Sequence, residues 1–358
     1  MPRIIVVGAG LAGLASALAL RRSGHQVQIF EASQLLFEHT EGPVVQIGPK
    51  VNDILKKWEF DAEVARGVLI EEVSEYDLGG LPRKSEGSQP PGWMYFQRSR
   101  LHKALMDAAK APSGAGQPVE IFLNTRVISA QGDTGVVVVE DGRSFTGDLV
   151  IGADGLHSTT RKAFPNDIIS AGPTKLTVHF RVATAKLEDN AVIKRFQIQP
   201  QKYEKWVGDN VELKVFSVDS EHIIFDTTLP ILSEAGLSPT FLKKQISDAF
   251  VSADSQIREL LDAVNPEDIQ FWSYNSMPHV ERWTSKRLVL IGDAAHPFLP
   301  YELPGTSQSI TGAEALDEVF TTSFGVEEIQ ARLQAWEIVR KERVEFIQGL
   351  ERKAWPSN

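Results

Sequence analysis

Cysteine is missing altogether from these 358 residues. Disulfides, thiolate metal sites and a cysteine nucleophile are thereby excluded, and the usage fits an intracellular protein. A basic excess is missing too: 37 Lys and Arg stand against 47 Asp and Glu, a formal net charge of -10. Without a basic block there is no footprint for nucleic acid or for an anionic lipid surface. Internal repeats, low-complexity tracts and terminal address signals are not seen either, which leaves the cytoplasm as the default location and the oligomeric state open. One apolar run, near the N-terminus, is long enough to resemble a secretory signal or a membrane helix. The glycines in turn spacing inside it, and the strand pattern that follows, argue for a folded element and against a membrane span. What remains is the composition of an ordinary globular protein, with enough chain for two domains or for one domain with a large insertion.

That run is the stretch from Arg3 to Glu31. Ile4 to Val7 reads as a buried parallel strand, and Gly8-x-Gly10-x-x-Gly13 follows at once, opening a helix from Leu11 to about Ser23. Gly8 makes the tight turn, Gly10 lets a pyrophosphate approach the backbone, and Gly13 lets the helix pack against its strand. The helix N-terminus offers free N–H groups and the positive end of its dipole to phosphate. Val27 to Phe30 makes a second strand with Glu31 at its carboxyl end, where an acid accepts from ribose hydroxyls. An acid there favours a free 2′-hydroxyl, so the site suits FAD or NAD better than NADP.

Further along, Gly42 to Pro49 predicts a short strand between breakers, Val51 to Trp58 a helix, and Gly79 to Gly92 a mobile connection. Tyr95 to Arg100 leads into a helix over Leu101 to Ala109. Arg98 and Arg100 at its entrance read either as a clamp for a phosphate or ring carbonyl or as a solvated surface pair. Strands follow over Val119–Phe122, Arg126–Ala130, Gly135–Glu140 and Ser144–Gly147. Two later apolar strands end alike, in Gly152-Ala153-Asp154-Gly155 and in Gly292-Asp293. Such ends bring carboxylates to the carboxyl edge of a sheet, where ligands of open α/β folds bind. Asp154 and Asp293 each read as a ligand group or as a helix cap. Between them, Lys175–Ala185, Val192–Gln199, Val211–Val218 and His222–Leu229 alternate like half-buried antiparallel strands. Helices are expected over Pro239–Ala249, Asp254–Leu261, Gly312–Phe320 and Val326 to about Arg352. The fold class is therefore α/β: a Rossmann-like domain over 1–170 and 285–358 that ends in C-terminal helices, with a mostly antiparallel substrate sheet and its helices inserted over 171–284.

With the glycine fingerprint, Asp154-Gly155 and Gly292-Asp293 in this order, the chain resembles the FAD-dependent monooxygenases of the single-component aromatic hydroxylase type. This is the salicylate and para-hydroxybenzoate hydroxylase-like family, with its fungal-type members. The resemblance implies FAD as cofactor and NAD(P)H as transient reductant. It implies dioxygen and a small molecule as partners, with oxygen transfer through a flavin C4a-hydroperoxide. It places Glu31 on the adenosine ribose, Asp154 and Gly155 beside both FAD and NAD(P)H, Asp293 on the ribityl chain and Arg98 against the flavin. Arg181 matches an arginine that projects from the substrate sheet and pairs with a phenolate, although the residue also reads as a strand-edge surface charge. Trp206, Trp272 and Trp283 fall where the family has tryptophans and read as core or interface packing. His179, His296 and Tyr301 are candidates to line a pocket, and each reads equally as a structural residue.

The chain also departs from the family pattern. Leu303-Pro304-Gly305-Thr306 stands where Gln-Gly is usual, with Gly305 and Thr306 left to face the flavin pyrimidine, and Thr311-Gly312 stands where an acidic pair is usual. Pro304 removes an N–H. Phe216 replaces a substrate-orienting tyrosine, and Gly42-Pro43-Val44 replaces a Gly-Ala-Gly beside the isoalloxazine, so Val44 adds bulk there. The leading expectation is an FAD- and NAD(P)H-dependent monooxygenase that hydroxylates or epoxidises a medium-sized, mostly apolar or aromatic compound of secondary metabolism. The alternatives are a flavoprotein-fold enzyme running a redox-neutral cyclisation or isomerisation, and a degenerate member that only binds a ligand.

Overall fold

The computed structural model describes residues 2–34, 43–83, 92–164, 173–217, 219–230, 237–275, 280–298, 304–321 and 323–354, with backbone only at 173–175, 230, 272–275, 304 and 351–354. The chain opens with β1 (Arg3–Val7), α1 (Leu11–Arg22) and β2 (Gln26–Phe30). Next come β3 (Val44–Ile47), α2 (Pro49–Lys57), β4 (Val68–Leu69), β5 (Glu72–Asp77), β6 (Met94–Gln97) and α3 (Arg98–Lys110). They lead to β7 (Glu120–Phe122), β8 (Val127–Gln131), β9 (Val136–Val139), β10 (Ser144–Thr146) and β11 (Leu149–Gly152). The middle of the chain holds β12 (Pro173–Ala183), α4 (Ala191–Ile198), β13 (Lys202–Val207), β14 (Glu212–Ser217) and β15 (His222–Pro230). After α5 (Pro239–Ala249), α6 (Ser255–Asp262) and β16 (Gln270–Asn275), the chain closes with β17 (Thr284–Ser285), β18 (Leu288–Leu290), α7 (Pro304–Phe320) and α8 (Val326–Ala354).

Two six-stranded sheets organise these elements. The first runs β17-β18-β11-β1-β2-β7 and is parallel apart from the β17–β18 pair. Its central strands β18, β11 and β1 are short and, apart from Arg3, buried on both faces, as a sheet covered on both sides requires. Helix α1 is buried from Leu11 to Arg21. Even Arg21 is enclosed, because its guanidinium donates to the carbonyls of Ala108, Ala109, Ala111 and Ser113 and so satisfies the C-terminal end of α3. The second sheet runs β16-β12-β15-β14-β13-β5 and is antiparallel except where β5 joins β13 in parallel. Strand β5 comes from well inside the 1–170 range, whereas Val280 and Trp283, ahead of residue 285, pack in the first core.

One face of the second sheet is apolar and packs on helices. Leu176, Val178, Phe180 and Val182 of β12 join Val215, Phe225 and Trp206 against Val192, Ile193, Phe196, Leu242, Ile246 and Ile257. Phe180 stacks on Phe225 at 5.1 Å and Tyr76 on Trp206 at 4.7 Å. Trp206 and Trp283 are buried core residues, whereas the Trp272 side chain lies outside the described residues.

Of residues 192–199, expected as a strand, 192–198 belong to helix α4 and Gln199 caps its C-terminal end. Asn190 caps its N-terminus, accepting from the Val192 and Ile193 N–H groups. Val192, Ile193 and Phe196 then share the buried face, a spacing that a four-residue apolar cluster also offers a strand. Strands β5, β13 and β16 fall outside the sequence expectation, and α7 begins eight residues before Gly312. Of the expected mobile connection, residues 79–83 and Gly92 are described; 84–91 lie outside the described residues, as do Gly42, Leu303 and Tyr301.

Candidate cofactor and substrate site

The glycine turn after β1 is shaped for close approach. Gly8 has φ +99°, and a Cβ there would stand 2.5 Å from the Ala153 carbonyl oxygen. A Cβ on Gly13 would stand 2.0 Å from the Gly8 carbonyl oxygen, so helix and turn touch only because both positions are glycine. Gly10 is different. Its φ is an ordinary -70° and a Cβ would meet nothing within 4 Å. The space in front of it, at the N-terminus of α1, is what a pyrophosphate needs.

The next residue, Ala9, is held at both ends. Its N–H donates to Glu31 Oε2 at 2.7 Å, and its carbonyl oxygen lies 2.6 Å from His102 Nε2. Burial drives the His102 imidazole below its ordinary pKa, which keeps it neutral with Nε2–H as the donor. Glu31 Oε1 accepts from the Ser33 N–H at 2.8 Å. Each carboxylate oxygen keeps a lone pair for a ribose hydroxyl. The role of His102 was not legible in sequence: it sits one turn inside α3, where a histidine reads as ordinary surface or core.

The two aspartates separate in role. Asp154 is saturated: it accepts from Ser158 Oγ, Thr160 Oγ1 and the N–H groups of Thr159 and Thr160, at 2.6 to 2.9 Å. It builds the turn after β11, and Gly155 stands at φ +75° with open space in front of it. Arg161, buried and unremarked in the sequence, ties that turn to the next motif by donating to the carbonyls of Leu156 and Ala294. Asp293 caps nothing and accepts no hydrogen bond from the described residues. Its side chain is exposed, yet burial raises its carboxyl pKa, with the Arg98 guanidinium pulling the other way. Surface exposure and desolvation together describe a recess, open in front of the carboxylate and walled by protein elsewhere. Arg98, the first residue of α3, shares that recess electrostatically. Arg100 turns away and pairs with Asp219 at 3.4 Å, so the two arginines do not act as one clamp.

The family departures look different in three dimensions. Pro304 is the first residue of α7, where a missing N–H costs the helix nothing. Gly305 and Thr306 lie in that same first turn, whose N–H groups have no partner within the helix. Val44 is buried in an apolar cluster with Ile70, Tyr95, Tyr203, Phe216 and Ile224. Phe216 stacks beside Tyr203 at 6.0 Å, so a phenol stands one strand away from the missing one. Gly312, where an acid was expected, gives its carbonyl to Trp336 Nε1 and lies beneath Arg340 of α8.

On the second sheet, Arg181 faces away from the helical layer, in one row with Ile224, Phe216 and Tyr203. That row meets β3 and β6 through Val44 and Tyr95. Arg181 is half-buried, which sets aside the strand-edge surface reading. His179 lies on the same face with Nδ1 2.6 Å from Asp226 Oδ1. His296 does not join them. It is buried between Trp283 and Phe298, and burial next to Arg340 pushes its pKa down to about 3.

The glycine turn before α1, Glu31 at the end of β2 and Asp293 after β18 together suit a dinucleotide at the carboxyl edge of the parallel sheet. A family profile described as FAD binding domain matches residues 2–345. The chain belongs to this FAD-binding family, and it is an FAD-dependent monooxygenase of the aromatic hydroxylase type. It is 29% identical to hispidin-3-hydroxylase of Neonothopanus nambi over 368 residues, covering 96% of this chain and 86% of the relative. It is 27% identical to the FAD-dependent monooxygenase cfoG of Aspergillus candidus, covering 97% and 84%. Among solved structures, 2-methyl-3-hydroxypyridine-5-carboxylic acid oxygenase in its tetrameric form superposes with a TM-score of 0.81 at 20% identity, covering 99% and 91%. Klebsiella pneumoniae HpxO complexed with FAD and uric acid gives 0.78 at 20%, covering 97% and 86%. Among the described residues no helix is long and apolar enough to cross a membrane.

Proposed function

We propose that this monooxygenase uses NAD(P)H and dioxygen to hydroxylate or epoxidise a medium-sized aromatic compound bearing an acidic hydroxyl, as part of secondary metabolism in the cytosol. Support comes chiefly from Arg181, a half-buried cation on the sheet face that meets β3 and β6. A phenol beside a fixed guanidinium ionises more readily, and the phenolate carbon is the better nucleophile toward electrophilic oxygen.

Gly8, Gly10, Gly13 and Glu31 would hold the ADP half of FAD, Asp293 its ribityl hydroxyls, and Arg98, Gly305 and Thr306 the flavin ring. The first-turn N–H groups of α7 are placed to stabilise negative charge at the ring edge. Asp154 shapes the turn that carries Gly155, the open backbone position offered to FAD and NAD(P)H. Bound FAD supplies the electron transfer from NAD(P)H to dioxygen; the chain itself binds, orients and excludes water. The name of one relative, the 3-amino-4-hydroxybenzoate 2-monooxygenase of Streptomyces platensis, favours a phenolic substrate class.

The purified protein, reconstituted with FAD, is expected to be yellow and to oxidise NADH or NADPH faster when phenols are added. Bound flavin that neither nucleotide reduces, whatever the phenol, would sink this reading. Anaerobic turnover without reductant would replace it by a redox-neutral one.

A further inference from the structure

Helix α8 has two unlike faces. Ile329, Leu333, Trp336 and Val344 are buried in the first core, and Arg340 is buried among them. Roughly 100° round the helix, Ala335, Val339, Phe346 and Leu350 form one exposed stripe along its length. Val339 is 65% exposed, Phe346 59%, Leu350 51% and the flanking Ile338 70%. No other element carries more than one large exposed hydrophobic side chain among the described residues. These four leave on the order of 500 Å² of apolar surface in water, as much as the largest patch of an ordinary monomer, and such patches mark interaction sites. Glu342 and Arg343 straddle the middle of the stripe, one on each flank, and both are exposed. Neither makes an ion pair among the described residues; the Arg343 guanidinium lies 5.8 Å from the centre of the Phe346 ring.

We infer that this stripe is a dimer interface, on which a second copy of the chain lays its own α8 side by side and parallel, about a two-fold axis running along the helix pair. Charge carries the first half of the argument. Such an axis sets each residue of the stripe beside its own copy and each flank against the opposite flank. Val339 then meets Val339, Phe346 meets Phe346, and Glu342 of each chain meets Arg343 of the other. An antiparallel pair centred on the same residues would set like flanks together, Glu342 against Glu342 and Arg343 against Arg343. Bulk carries the second half. Because the buried face lies roughly a quarter-turn from the stripe, an antiparallel partner would bring both molecules to the same side of the helix pair, where they collide. A parallel partner puts them on opposite sides. With the two charged residues and the neighbouring alanines, the contact approaches the roughly 800 Å² per copy that a specific dimer buries.

The test is sedimentation velocity of the full chain with FAD added, across micromolar concentrations. Wild type is expected to sediment as a dimer. Glu342→Arg and Arg343→Glu each turn both cross-pairs from attraction to repulsion, and each is expected to weaken the dimer at least about tenfold. The chain carrying both substitutions restores opposite charges across the pair and is expected to regain wild-type affinity. Equimolar mixing of the two single variants is expected to restore a mixed dimer. Val339→Lys, at an exposed position, is expected to give a monomer with an unchanged circular-dichroism spectrum, which separates loss of pairing from loss of fold. A monomeric wild type, single variants or Val339→Lys that dimerise like wild type, or a double variant as weak as the single ones would overturn the interface.

Discussion

Gly10 and Gly13 are the same residue with opposite reasons. At Gly13 a Cβ collides with the Gly8 carbonyl, so Gly13→Ala is expected to lower apo-protein stability by about 2 kcal/mol or more through forced separation of helix and turn. At Gly10 a Cβ enters open space at a permitted φ, so Gly10→Ala is expected to leave the apo melting temperature unchanged and to weaken FAD binding by at least about a hundredfold. Melting curves and FAD titration of the two variants test this, and an FAD-competent Gly10→Ala would show that phosphate does not use the cradle. Asp293 makes a second residue-scale prediction. Its pKa is raised in the folded protein, so the native state holds a proton that the unfolded chain gives up. Its contribution therefore turns against folding as pH rises from the unfolded carboxylate value through the folded one. Asp293→Asn should raise the apo melting temperature at pH 7, with the gap closing toward pH 4, and should weaken FAD binding by about tenfold. A variant no more stable than wild type at pH 7 would place the carboxylate in water.

Helix α4 shows what an element hides. Its apolar residues alternate closely enough to pass for a strand, and the sequence offers one opposing signal, Asn190 at the cap. Besides capping, the Asn190 amide donates to Gln256 O and Glu259 Oε2, joining α4 to α6. Asn190→Ala is expected to cost about 1–2 kcal/mol in chemical denaturation; no change would mean that α4 is held by packing alone. The first β-α-β unit was legible because strand, turn and acid are contiguous and each glycine has a local cause. Strands β5 and β13 were not, because Glu72, Glu75, Glu204 and Lys205 break the apolar alternation. Glu72 and Glu204 find partners across the fold, in Lys202 and Arg195. The site divides the same way. Gly10, Glu31 and Asp293 announce themselves by motif, whereas His102 and Arg161 act on backbone carbonyls of distant turns and leave no local pattern.

At the scale of the whole molecule, acid sensitivity is built into the join between α8 and the nucleotide core. His296 is neutral and buried, its ring tilted against Trp283 and close to Arg340, which donates to the Gln308 side chain and carbonyl. Its folded pKa of about 3 lies below the unfolded value near 6.5, so the unfolded chain binds the proton first. The corresponding stability is fully present above about pH 6.5 and is lost as pH falls toward 3, about 2 kcal/mol of it by pH 5. His296→Phe, which keeps an aromatic ring between Trp283 and Phe298, is expected to flatten the stability profile between pH 7 and pH 5. Parallel profiles for variant and wild type would show that the imidazole is already solvated.

Strand β5 carries a consequence for how the chain is made. It leaves the ribosome before any other strand of its sheet exists, and it waits through the synthesis of β6 to β12 for Lys202–Val207 to emerge beside it. The sheet is sealed late, by an edge strand made early. Until then its N–H and C=O groups lack the strand that pairs them in the finished sheet.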